Sequence, residues 1–238
     1  MMQVRIYTTK QIVAEKFSAF FKDIVTTDKS FNVALSGGST PKIVFDYLAE
    51  NFADSIDWTK VNFYWGDERC VSPTDEESNY KMTLEHLLSK ISIPKENIFR
   101  ILGENDPKIE AIRYGDVLEK NLPSQFEIPK FDLVILGMGD DGHTASVFPY
   151  EINLWDAKAN CEVAVHPDSG QKRVTITGNI INNAEVVAFL VTGTSKAEKV
   201  KEIIKETGEY KKYPATLVKP TSGKLIWFLD NEAAKEIS

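Results

Sequence analysis

The sequence predicts a three-layer α/β fold: a mainly parallel, Rossmann-like sheet with helices on both faces. Three observations predict it. Strand-like and helix-like periods alternate from end to end of the chain. The strand candidates are continuous apolar runs, as expected of strands covered on both faces. Connections are ordinary loops, with no internal repeat, low-complexity segment or linker. A single domain spanning 1–238 follows, since 42% hydrophobic and 26% charged residues match an average globular chain of this length. Such a chain buries a sizeable core without disulfides or metals.

Residues 3–7 alternate as a strand, and the start Met1-Met2-Gln3 carries no secretory signature. Over 9–25, Ile12, Val13, Phe17, Phe20, Phe21 and Ile24 fall on one helical stripe. The apolar run 31–35 reads as a buried strand, followed by a Ser/Gly turn and a helix with Pro41 at its first position. A strand at 61–65, a helix at 77–90, a strand at 98–102 and a helix at 107–121 come next. The run 131–136 is the most apolar strand. Strands near 161–165 and 172–177, a strand at 185–192, a helix at 194–206 and a strand at 225–229 complete the chain. Ligands of such sheets bind beyond the carboxyl ends of the strands. The turns 36–41, 66–70 and 137–143, and the loop after 185–192, are therefore expected to converge on one pocket.

Charge and cysteine content remove several functions. The net charge of −7 repels nucleic acid and anionic lipid, so neither is expected as a partner. The two cysteines, Cys70 and Cys161, lie far apart without C-x-x-C spacing, which argues against a disulfide scaffold or zinc site and fits a reducing compartment. No apolar run approaches the ~18 residues of a membrane span. A cytoplasmic monomer is expected, and any anionic ligand must be held by a few placed cations and helix ends.

Four segments carry chemistry. Ser36-Gly37-Gly38-Ser39-Thr40-Pro41 joins a buried strand to a helix. Its glycines admit a ligand close to the backbone, its hydroxyls donate, and the helix N-terminus favours phosphate. A plain capping turn would look similar. It is no Walker A loop, because the lysine of that motif is missing. Gly66-Asp67-Glu68-Arg69 follows the strand 61–65. Arg69 can grip a phosphate or carboxylate bidentately there, with Asp67 or Glu68 orienting it or handling protons.

Gly137-Met138-Gly139-Asp140-Asp141-Gly142-His143 matches G-x-G-x-x-G after a strand. Two acids where a pyrophosphate would lie, and Pro149 shortly after, argue against a dinucleotide. What remains is His143 on a tight turn beside Asp141. An imidazole titrating near neutrality can take a proton from water and return it to a leaving alkoxide, with the carboxylate fixing its tautomer. No further ligand accompanies Asp140, Asp141 and His143, so no metal is expected. Thr192-Gly193-Thr194-Ser195-Lys196 opens a helix where Lys196 would add a point charge. Arg173 either faces the pocket or decorates a strand edge. His86 and His166 receive no role.

The ordered set Leu35–Pro41, Gly66–Val71 with Ser78-Asn79-Tyr80, Leu136–Ser146, Thr192-Gly193 with Lys196-Ala197, and Lys224–Asp230 resembles the 6-phosphogluconolactonases. It runs through essentially the whole chain. The resemblance implies cofactor-free hydrolysis of 6-phospho-D-glucono-1,5-lactone in the oxidative pentose phosphate pathway, with a small phosphosugar lactone as the partner. By the same resemblance His143 would be the base, supported by Asp141, with Asp67 as a further family acid. Arg69, Lys196 and the turn Gly37, Gly38, Ser39, Thr40 would grip the substrate, with Ser36 and Arg173 beside them. Glucosamine-6-phosphate deaminase/isomerases share the Asp-Gly-His turn and are the nearest alternative. Their motif has a glutamate five residues after the histidine, where this chain has Phe148. A sugar-phosphate sensor without turnover is a second alternative.

Overall fold

The computed structural model describes residues 2–25 and 29–237; the expectation for Met1 lies outside the described residues. In chain order the elements are β1 (Met2–Tyr7), α1 (Lys10–Ile24), β2 (Phe31–Leu35), α2 (Ser39–Phe52), β3 (Val61–Trp65), β4 (Asp67–Arg69) and α3 (Asn79–His86). Then follow β5 (Ile98–Phe99), α4 (Pro107–Asn121), β6 (Ser124–Gln125), β7 (Ile128–Pro129), β8 (Leu133–Leu136), β9 (Cys161–Val165) and β10 (Lys172–Ile176). The last are α5 (Gly178–Asn183), β11 (Val186–Val191), α6 (Ala197–Lys205), β12 (Leu225–Asp230) and α7 (Asn231–Ala234).

Seven strands form one wholly parallel sheet in the order β1-β12-β11-β8-β2-β3-β5. All residues of β2, β8, β11 and β12 are buried, as their mainly apolar character requires, with Asn32 and Asp230 as the buried polar exceptions. Helix α1 starts where the Thr9 hydroxyl accepts the Ile12 amide at 3.3 Å. Its stripe of Val13, Phe17 and Phe21 is buried, and Phe17 meets Phe228 of β12 edge-on at 5.2 Å. Burying such side chains contributes about 1.5–3 kcal/mol each, far above the tenths separating helix propensities. Among the described residues no helix is long and apolar enough to cross a membrane.

Strand order reverses between β2 and β8. Successive strands run outward to β3 and β5 on one side, and to β11 and β12 on the other. The connections leaving β2 and β8 therefore diverge and open a crevice at their carboxyl ends.

Several boundaries differ from expectation. Helix α2 begins at Ser39, so Pro41 is its third residue; proline is tolerated there because the first amides of a helix lack intrahelical acceptors. The 77–90 helix stops at His86, because Leu87 leaves helical geometry at φ −135° and ψ −63°. Strand 98–102 shortens to two residues, and strand 131–136 begins at Leu133. The largest difference concerns 161–165 and 172–177. They join no parallel strand, but form with β4 a separate antiparallel sheet in the order β4-β10-β9. The presumed turn 66–70 thus contains a strand, which the bend at Gly66 sends away from β3.

Candidate active site

A cleft of about 210 Å³ opens at the reversal point. The turn after β2 lines it with Ser36, Gly37, Gly38, Ser39 and Thr40. The antiparallel sheet contributes Asp67, Arg69 and Arg173, the turn after β8 contributes His143, and the turn after β11 contributes Lys196. Of the residues singled out in the sequence as reacting or binding groups, Asp141 and Glu68 do not line the cleft; Asp141 stands behind the imidazole.

The turn after β8 is built around that imidazole. Asp141 Oδ1 lies 2.6 Å from His143 Nδ1 and also accepts the His143 amide at 3.0 Å. The Gly139 amide donates to the His143 carbonyl at 2.9 Å, closing the turn. A Cβ on Gly139 would lie 2.1 Å from His143 Nδ1 and 2.7 Å from Asp141 Oδ1, so only glycine leaves room for the pair. Gly142 takes φ +82°, and a Cβ there would strike Tyr213. Burial raises the Asp141 carboxyl, but the His143 hydrogen bond and charge outweigh it and hold the carboxyl below its ordinary value. No helix follows Gly142; the next helical turn starts at Pro149, unlike a dinucleotide-binding βαβ unit.

The turn after β2 suits an anion. Gly38 caps α2 with φ +105° and supplies no side-chain cap to the first helix amides. Gly37 has no room for a Cβ, because the Asn79 amide oxygen would lie 1.8 Å from it. The Asn79 amide nitrogen in turn donates to the Asp67 carbonyl at 2.9 Å. Thr40 and Thr192 hydroxyls meet at 2.7 Å, joining this turn to the one after β11.

The sequence left open whether Asp67 or Glu68 serves Arg69. Strand alternation decides it. Asp67 lines the cleft, whereas Glu68 turns away and accepts the amides of Arg69, Asn79 and Tyr80 and the Ser78 hydroxyl, fixing the start of α3. Asp67 Oδ2 accepts from the Ser146 hydroxyl at 2.6 Å. Arg69 donates to the Glu77 carbonyl at 2.5 Å. The Nε atoms of Arg69 and Arg173 are buried without a partner among the described residues. Burial pulls the Arg173 guanidinium below its ordinary value; Asp67 opposes this, and the Arg69 charge adds to it.

Lys196 reaches back to the turn after β8, with Nζ 2.7 Å from Asp140 Oδ1. This contact, with help from Ser195, holds the Asp140 carboxyl below its ordinary value against a smaller effect of burial. The Gly193 amide donates to Asp230 at 3.0 Å, tying the Lys196 turn to the end of β12. Among the described residues no three His, Cys, Asp or Glu side chains cluster to hold a metal ion.

Sequence reasoning gave no role to Asn79, Ser146 or Asp230. All three lie within its quoted motif segments, but their work is to hold other site groups, which no local pattern reveals.

A family model described as glucosamine-6-phosphate isomerases/6-phosphogluconolactonase matches residues 8–227. The chain is 44% identical over 197 residues to a 6-phosphogluconolactonase of Treponema pallidum, across 83% of this chain and 82% of that protein. It is 41% identical over 230 residues to one of Haemophilus influenzae, across 96% and 97%. A solved 6-phosphogluconolactonase structure from Trypanosoma brucei matches with a TM-score of 0.89 at 28% identity, over 100% of this chain and 99% of that one.

Proposed function

This chain belongs to the glucosamine-6-phosphate isomerase/6-phosphogluconolactonase family, and from that premise we propose that it hydrolyses 6-phospho-D-glucono-1,5-lactone to 6-phospho-D-gluconate. The observation that carries this reading is a carboxylate-held imidazole at a cleft flanked by Arg69, Arg173 and Lys196. We further propose a cofactor-free cytoplasmic monomer acting in the oxidative pentose phosphate pathway.

The phosphate is held by the cations and the amino end of α2, so remote binding energy orients the lactone carbonyl. The His143 ring nitrogen not engaged by Asp141 takes a proton from water as the water oxygen attacks C1. Asp141 stabilises the imidazolium, much as an aspartate does in hydrolytic triads. The tetrahedral oxyanion is met by a backbone amide or a cation. As the bond from C1 to the ring oxygen breaks, the imidazolium returns its proton to that oxygen. Asp67 is proposed to accept from a sugar hydroxyl through Oδ1, which has no partner among the described residues.

Phe148 argues against the deaminase reading. Ring opening and aldose–ketose isomerisation need a second proton handler, and a phenyl ring handles none; hydrolysis needs only one base and a water. The test is lactone loss above the spontaneous rate, measured for wild type and His143→Ala. Equal rates would sink the catalytic reading and leave a binding protein. Ammonia release from glucosamine 6-phosphate is expected to be absent.

A further inference from the structure

Among the twelve largest fully buried side chains, Phe148 alone lies outside the continuous hydrophobic core. It is 0% exposed, yet its ring touches polar and titratable groups. The His143 ring lies 4.7 Å away, tilted by 52°. The Arg173 guanidinium sits over it, 5.5 Å from its centroid. His166 packs against it at 5.4 Å, nearly perpendicular, and Tyr150 stacks at 6.2 Å.

We infer that Phe148 is a positioning residue that holds His143 and Arg173 in register, one on each contact of a single ring. Asp141 fixes the imidazole at Nδ1, but one hydrogen bond leaves the ring free to swing about that contact. Phe148 packs against the imidazole and removes that freedom. Arg173 has a buried Nε with no partner among the described residues, so its side chain is not held there by a hydrogen bond. The phenyl ring supplies an attractive surface for the guanidinium without competing for its donors. The same ring therefore sets the spacing between a proton acceptor and a cation that faces the substrate. His166, given no role from the sequence, buttresses Phe148; its Nδ1 accepts the Asp168 and Ser169 amides at 3.3 Å, which fixes the imidazole that meets the phenyl edge.

This inference rests on the proposed hydrolysis for its kinetic consequences but not for its structural one. The structural test is the proton NMR resonance of the Asp141–His143 hydrogen bond in the free protein, identified by its loss in His143→Ala. Phe148→Leu keeps most of the apolar volume, a kind of change that cores tolerate, and is compared with Phe148→Ala. The resonance is expected to broaden or vanish in both variants while circular dichroism is retained. In turnover, kcat is expected to fall about 10²-fold, the scale of a misplaced catalytic group. The losses in kcat/KM from Phe148→Leu and Arg173→Met are expected to be non-additive, and those from Phe148→Leu and Lys196→Ala additive. An unchanged resonance with unchanged kcat, or strictly additive losses with Arg173→Met, would overturn the inference. Absence of hydrolysis in the wild type would instead overturn the proposed function, leaving the resonance to decide the positioning role.

Discussion

Arg69 and Arg173 face each other across one rung of the antiparallel ladder between β4 and β10. Like charges directly opposite in a sheet repel, and here both Nε atoms are buried and unpartnered among the described residues. A stability-driven sequence would not keep this pair; an anion between the two guanidinium groups relieves it.

That relationship predicts how the free and bound proteins differ. Product or inorganic phosphate at 100 times its Kd is expected to add about 2.7 kcal/mol of stability, or roughly 5–10 °C in melting temperature. Arg173→Met is expected to melt no lower than wild type without ligand and to lose most of the ligand-induced rise. Differential scanning calorimetry with and without phosphate checks both. A full ligand-induced rise in the variant would show that Arg173 plays no part in the grip.

Lys196 is paired with Asp140 at 2.7 Å, so on the proposed reading Asp140 competes with the phosphate for it. Removing its charge with Asp140→Asn is expected to lower KM for the phosphorylated lactone several-fold, while Lys196→Ala raises it and leaves kcat nearly unchanged, the pattern of lost uniform binding. Steady-state kinetics on the two variants decide this. A raised KM in Asp140→Asn would mean that Asp140 aims Lys196 rather than occupying it.

The lowered Asp141 carboxyl has a definite sign in its pH dependence. Its stabilising contribution is present above the unfolded value of ~3.9 and is lost as pH falls through the lower folded value. Asp141→Asn is therefore expected to flatten the acid limb of melting temperature against pH below about pH 4. The same variant is expected to lower kcat by about 10²–10⁴-fold through a mis-set imidazole. Thermal scans from acid to neutral pH test the first point; superimposable acid limbs would refute it.

Gly139→Ala places a methyl group against the His143 ring. The half-buried turn must shift to accommodate it, so the fold is expected to survive with a loss of about 1–3 kcal/mol, while kcat drops about 10²-fold. Urea unfolding alongside turnover checks the pair of outcomes. Wild-type kcat in this variant would show that the tightness of the turn is irrelevant to the chemistry.

Much of this protein is legible in its sequence because the signals are local. Unbroken apolar runs at β8 and β11, and a nearly unbroken one at β2, specify buried parallel strands, and Gly139 and Gly142 mark a turn tight enough to present His143 beside Asp141. Arg69 and Lys196 stand out because each follows a strand end. Two strands were legible as strands but not in their sheet. The segment 172–177, with Val174, Thr175, Ile176 and Thr177, is rich in β-branched residues and reads as a strand, but its composition does not name its partners, which are chosen by packing over long sequence separations.

Sequence alone determined the α/β class, the parallel central sheet and the imidazole–carboxylate turn, since backbone periodicity and glycine geometry act within a few residues. Only the tertiary structure decided that Asp67 rather than Glu68 faces the cleft, that Arg69 opposes Arg173, and that Phe148 rests on His143. Those facts depend on register and crossing between segments as many as about a hundred residues apart, where the free energy of burying and pairing whole surfaces outweighs any local preference.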